Sequence, residues 1–227
     1  MALATYLDLC IDAVDPRRLG RFWADLLRMD LEELDDGDAR LTSPQAGHTV
    51  WLNRVPEPVT VKQRVHLDVR APSVEDVVRL GGTVVDATSF PWTVMKDPEG
   101  GELCVFPVRE GTSPGLMEIG VDTDDPVRTS TWWADVLGAD RRDHEDGYSF
   151  LSPVPSAPFE AITFAPVPEP KTVKNRIHLD VTTTDVQLLL GAGATLLRAA
   201  DDEIHWHVLA DPDGNEFCAF VESPGAG

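Results

Sequence analysis

Short stretches of alternating apolar and polar residues, separated by turn formers, run through the whole chain, and each leading stretch is followed by a helical stripe. In TYLDLCI, Leu7, Leu9 and Ile11 alternate with Tyr6, Asp8 and Cys10, the period of a strand. Asp15 and Pro16 then supply an N-cap and a first helical residue, and Leu19, Phe22, Trp23, Leu26 and Leu27 form one apolar helical face. Short strands are expected at residues 31–34, 39–43 and 49–54, separated by DDGD and SPQAG. The unit is βαβββ. It recurs at once: a strand at 64–70, a short helix opened by Ser73 with Asp76 and closed by Gly81, and strands at 83–86, 91–96 and 102–108, with DPEGG in the last hairpin. The same order starts again near Leu116, giving four βαβββ modules.

The recurrence extends to individual residues. RVHLDV at Arg64 returns as RIHLDV at Arg176, RFWADLL as TWWADVL, VPEP at Val55 as VPEP at Val167, and DPEGGELCVF as DPDGNEFCAF, each pair 110 to 114 residues apart. The chain therefore reads as a duplicated unit, with halves at 1–110 and 116–227 joined near EGTSPG. In the repeated hexapeptide, Arg64, His66 and Asp68 share one strand face while Val65, Leu67 and Val69 take the other. The apolar side must pack under the helices, so the polar side lines the concave face.

Charge narrows the partners. With 39 acidic against 19 basic residues the formal charge is -20, and no basic cluster suits a phosphate backbone, which argues against nucleic acid. No apolar run approaches the roughly 20 residues of a bilayer span, and the start has no cationic region before an apolar one, so a soluble, cytoplasmic protein without a membrane partner is expected. Three cysteines, two of them at equivalent places in the halves, suggest free thiols rather than a disulfide framework.

Paired βαβββ modules, a helix carrying Phe-Trp after an Asp-Pro start and a closing DP-acid-G hairpin resemble the vicinal oxygen chelate superfamily of glyoxalase I, bleomycin resistance proteins and extradiol dioxygenases. KNRIHLDV with DPDGNEFC resembles its actinobacterial glyoxalase-like domain branch. The resemblance implies an α+β fold in which four βαβββ modules form two tandem glyoxalase-like domains with cupped mixed sheets. It also implies ligand positions on the first and last strand of each module. These fall on Asp8, Glu118, His66 and His178 for the first strands, and on Trp51, Cys104, Thr163 and Cys218 for the last. Hard divalent ions want imidazole and carboxylate ligands, and no intact four-ligand set of that kind is present.

A three-ligand zinc site with Cys104 or Cys218 is one alternative, built within a half as Asp8, His66 and Cys104 or Glu118, His178 and Cys218, or across halves. Buried, inert strand cysteines are the other. His66 has a similar pair of readings: a ligand-binding or acid–base group with Cys104 as dyad partner, or a member of an Arg-His-Asp set that satisfies itself. Trp51 and Phe106 are expected to aim into the cavity beside His66 as aromatic walls. His205 and His207 share a strand face at a two-residue spacing that can bind metal, but PWTVMKD in the first half has no histidine there, so incidental strand histidines are expected, and His48 and His144 beside turns carry no constellation. The functional expectation is a binding or resistance protein that sequesters a small molecule without metal or other cofactor, with a zinc-dependent or His–Cys enzyme acting on a carbonyl or vicinal-oxygen substrate as the alternative and a ligand-free scaffold as a third. Since superfamily domains usually pair, the duplication is expected to give a monomer with a pseudo-dimeric arrangement of halves.

Overall fold

The computed structural model of the protein describes residues 2–43 and 48–222. The first module runs β1 (Thr5–Ala13), α1 (Pro16–Leu27), β2 (Asp30–Glu33), β3 (Ala39–Thr42), β4 (Thr49–Arg54), and the second β5 (Val65–Ala71), α2 (Val74–Leu80), β6 (Thr83–Asp86), β7 (Thr93–Lys96), β8 (Glu102–Pro107). The third is β9 (Gly115–Thr123), α3 (Pro126–Leu137), β10 (Arg141–Asp143), β11 (Ser149–Leu151), β12 (Ala161–Pro166), and the fourth β13 (Ile177–Thr183), α4 (Val186–Gly191), β14 (Thr195–Arg198), β15 (His207–Ala210), β16 (Glu216–Val221). All four modules are βαβββ. The strand expected at 91–96 starts only at Thr93, two residues after Pro91, which has no N–H to give a ladder. The SPQAG turn, apart from Ser43, lies outside the described residues.

Local chemistry sets the helix ends. The Asp15 carboxylate accepts from the Arg18 amide at 3.0 Å, and Asp125 repeats this with Arg128 in the second half. Ser73 Oγ accepts from the Asp76 amide at 3.1 Å, and Gly81 closes α2 at φ 112°, where a side chain would be strained. The apolar stripe of α1 is buried, Trp23 completely, and the tryptophans of α3 follow it into the core. Among the described residues no helix is long and apolar enough to cross a membrane.

The strands form two eight-stranded mixed sheets, and each sheet crosses the sequence halves. The first is ordered β14-β15-β16-β13-β1-β4-β3-β2 and the second β10-β11-β12-β9-β5-β8-β7-β6. Module one therefore joins module four through the antiparallel pair β1/β13, and module two joins module three through β5/β9. The connections that leave β4 and β12 each begin with a VPEP segment, whose prolines lack the donor a ladder needs, and each carries the chain into the other sheet. Charges clasp these crossings: Lys62 meets Asp122, Lys174 meets Asp12 at 2.6 Å, Arg64 donates to the Glu169 carbonyl and Arg176 to the Glu57 carbonyl. Arg64 thus leaves the expected Arg-His-Asp set for a backbone partner 105 residues away.

Candidate functional site

On the polar face of the first sheet, register places Trp51, Cys10 and His178 in one row across β4, β1 and β13, and Asp8, Asp180 and Cys218 in the next across β1, β13 and β16. In the second sheet the matching rows are Thr163, Gly120, His66 and Glu118, Asp68, Cys104. Each of the two sites combines residues from both halves. The within-half sets are therefore corrected: Asp8 stands with His178 and Cys218, and Glu118 with His66 and Cys104. Trp51 likewise lines the first sheet and not the His66 site, while Phe106 lies two residues beyond Cys104 on the His66 face.

At the positions where the superfamily resemblance places ligands, the residues do not fit a hard divalent ion. In the first sheet the indole of Trp51 donates to Asp8 at 3.1 Å, and the Thr49 amide donates to the other Asp8 oxygen at 2.6 Å. In the second, the Thr163 hydroxyl donates to Glu118 at 2.9 Å. An indole N–H has no lone pair for a metal, and each carboxylate is already tied to the residue standing where a further ligand would be.

The inner residues differ between the sheets. His66 Nε2 lies 3.3 Å from Asp68 Oδ1, with Cys104 in the same cluster, and all three are buried or nearly so. Burial opposes the charge on His66, yet Asp68 and Cys104 outweigh it and hold the imidazole pKa well above its usual value. Burial also raises the Cys104 thiol, against the pull of His66. Nδ1 of His66 has no partner among the described residues. The side facing Asp68 is therefore Nε2, so no carboxylate orients the ring from the opposite nitrogen as a Cys–His–Asp nucleophile requires. The ring leans over Gly120: a Cβ added there would lie 2.4 Å from Nε2.

In the first sheet Cys10 occupies the place of Gly120. His178 Nε2 sits 3.4 Å from Cys218 Sγ and 3.7 Å from Asp180 Oδ1, and Cys10 Sγ donates to Asp180 Oδ2 at 3.3 Å. Burial lowers the pKa of His178 to about 4, and burial with the charge of Asp8 raises Asp180 to about 7. Burial also pushes up the thiols of Cys10 and Cys218. The second sheet thus favours an imidazolium–carboxylate pair and the first a neutral one.

Aromatic rings flank both clusters. Phe90, Trp92 and Phe106 form a stacked series with centroids 5.0 and 5.3 Å apart, and Trp206 lies 5.6 Å from Phe220 beside the first. Arg70, next to Phe106 in register, pairs with Glu160 at 2.8 Å. Cys10, Asp180, Trp92 and Trp206 extend the expected site. Their sequence signals were alternation from Asp8 and His178, and a Trp five residues before the DPxG aspartate in both halves. Of the remaining histidines, His144 stacks on Tyr148 and His207 accepts from the Ala200 amide.

A cavity of about 710 Å³ lies elsewhere, between the two crossings at 57–64 and 169–176, with Val59, Val61 and Val173 among its walls. Its cations are those of the clasp, already paired with Asp12, Asp122 and backbone carbonyls, and Lys171, paired with Glu216 at 2.8 Å. Room alone therefore does not mark the ligand site.

Residues 8–106 and 118–220 each match the glyoxalase-like domain family. Among solved structures, glyoxalase I from Zea mays aligns at TM-score 0.68 with 16% identity, over 96% of this chain and 92% of that one. A point mutant of the same enzyme aligns at TM-score 0.68 with 17% identity over 96% and 93%. A putative dioxygenase from Bacillus subtilis subsp. subtilis str. 168 aligns at TM-score 0.62 with 12% identity over 99% and 87%. No curated protein matches the sequence.

Proposed function

Because the chain belongs to the glyoxalase-like domain family of the vicinal oxygen chelate superfamily, yet holds Trp51 and Thr163 against the acids at its ligand positions, we propose that it binds a small organic molecule on the concave face of the second sheet without a hard-metal centre. The observation carrying this reading is the internal capture of Asp8 by Trp51 and of Glu118 by Thr163. The stacked rings of Phe90, Trp92 and Phe106 offer a flat apolar wall, and Glu118 retains acceptor capacity beyond its Thr163 bond. A planar cation is the ligand class such a wall and carboxylate recognise. Sequestration is the reading that follows. The enzymatic alternative has less support, since His66 presents one nitrogen to its carboxylate and leaves the other without a partner among the described residues, and the Cys104 thiol is raised rather than lowered.

Fluorescence titration with acriflavine, a planar aromatic cation, tests the reading. Saturable binding is expected, weakened by about 1–3 kcal/mol in Glu118→Gln, reduced in Trp92→Ala and unchanged in His48→Ala and in the cavity variant Val61→Asp. Binding indifferent to Glu118 and Trp92 but abolished by Val61→Asp would move the site to the cavity between the crossings and sink the proposal.

A further inference from the structure

The first sheet carries a donor set of a different kind. Cys10 on β1, His178 and Asp180 on β13 and Cys218 on β16 project from three adjacent strands onto one face, and all four residues are buried. The donor atoms of Cys10, His178 and Asp180 lie within 4.8 Å of one another. Individual separations are 3.3 Å from Cys10 Sγ to Asp180, 3.7 Å from Asp180 to His178 Nε2 and 3.4 Å from there to Cys218 Sγ. Zinc bonds of about 2.0–2.3 Å in a tetrahedron set ligand atoms roughly 3.3–3.8 Å apart. These three separations fall within that range; Cys10 faces Asp180 Oδ2 and His178 faces Oδ1, so the carboxylate must turn or chelate to serve one ion, with Cys218 drawn in beside His178. A second observation points the same way: Asp180 Oδ1, like Asp68 Oδ1 in the second sheet, is buried and has no hydrogen-bond partner among the described residues, a state that ordinarily costs stability unless something else occupies the lone pair.

We propose that Cys10, His178, Asp180 and Cys218 form a tetrahedral site for a thiophilic divalent cation, zinc foremost. Two donors, Cys10 and Asp180, are not the residues at the superfamily's ligand positions, where Asp8 and Trp51 hold each other. The set is displaced by one strand step and its chemistry changes from hard to soft. Binding replaces the thiol protons of Cys10 and Cys218, which pass to solvent, with two metal–sulfur bonds, and no oxidant or reductant is involved. The second sheet cannot form the same set, because Gly120 stands where Cys10 would be. The proposal goes beyond the binding function, which uses the other sheet.

The test uses the full chain, stripped of metal and reconstituted under reducing conditions. Elemental analysis is expected to give one zinc per chain. Cobalt(II) is expected to give the intense visible bands of a tetrahedral ion and thiolate-to-cobalt charge transfer. Cys10→Ser and Cys218→Ser should each lower zinc affinity by more than the roughly 10- to 100-fold that outer-shell changes cost, while Cys104→Ser leaves it unchanged. Cys10→Gly, which copies the residue of the second sheet, should abolish the cobalt bands with the far-ultraviolet circular dichroism retained. Failure of the wild type to take up zinc or cobalt overturns the proposal, as does uptake that survives Cys10→Ser and Cys218→Ser or shows only octahedral cobalt bands. Should the variants misfold, the wild-type cobalt spectrum decides alone. Acriflavine binding through Glu118 is a separate readout, so either proposal can fail without the other.

Discussion

Gly120→Ala tests whether one missing methyl group creates the difference between the two sheets. An added Cβ would meet Nε2 and Cε1 of His66 at 2.4 and 2.5 Å, about 1 Å inside ordinary contact. The His66 ring is buried against Asp68, so it must move, and its 3.3 Å approach to that carboxylate is lost. A buried charge-assisted contact is worth about 1.5–3 kcal/mol, offset by the roughly 0.5–1 kcal/mol that alanine gains over glycine in a strand. The expected net loss is about 1–2 kcal/mol, read as a shift in the midpoint of urea unfolding. In a His66→Ala background the space is vacant, so the same substitution should be neutral or slightly stabilising. The pH dependence has a definite sign. His66 has a folded pKa raised above its unfolded value of about 6.5, so its contribution is full below that value and disappears as pH rises through the folded one. The coupling between the two substitutions must therefore shrink in alkali. Equal destabilisation by Gly120→Ala in both backgrounds would refute the steric argument.

Asp180→Asn in the metal-free protein copies the protonated carboxyl that burial favours; with Asp180 raised to about 7, its stability cost accumulates as pH rises from about 4 towards 7, so the variant should match wild type most closely near pH 4 and exceed it increasingly up to pH 8 in thermal melts. A uniform loss would contradict the assignment. Asp8→Asn removes a carboxylate accepting from Thr49 and Trp51 and should cost about 1–3 kcal/mol in urea unfolding, with most of the indole's share absent in a Trp51→Phe background. A double-mutant cycle with no coupling counts against that bond. Since both sheets are complete within one chain, light scattering at micromolar concentration should give 24.9 kDa, and twice that mass would overturn the monomer expectation.

The modules were legible because their signals are local. The Asp15 cap, the stripe from Leu19 to Leu27, Gly81 at its left-handed position and the DPxG turns each act within a few residues, and the observed elements follow them. The pairing of β1 with β13 was not legible, because Cys10 and His178 are 168 residues apart and nothing local selects β13 over β5. Their hexapeptides are nearly identical. The clasp residues repeat as well, Lys62 with Lys174 and Asp12 with Asp122, so they hold the crossing without selecting it. For the same reason the ligand positions were found one residue at a time while their grouping was not. Asp180 and Asp68 were visible only as part of a strand pattern, and Cys10 as an odd thiol.

The duplication explains why the two faces can differ at all. In an assembly of two identical chains, any change at the Gly120 position would occur in both sites, and the space that His66 needs would have to exist in each. Within one chain the two copies are separate codons, so Cys10 can stand in one sheet and Gly120 in the other at no mutual cost. The consequences run in order from that residue. Gly120 lets the His66 ring reach Asp68 and form a charged pair, whereas Cys10 takes the Asp180 carboxylate as its own acceptor and leaves His178 against Cys218. The two carboxylates sit in different surroundings, Asp68 beside an imidazole whose pKa is raised and Asp180 held towards neutrality by burial and the charge of Asp8, against the pull of the Cys10 bond. The exchange of Gly120 for Cys10, together with Thr163 for Trp51 and Glu118 for Asp8, separates a binding face with a raised imidazole from a soft donor cluster on the same fold.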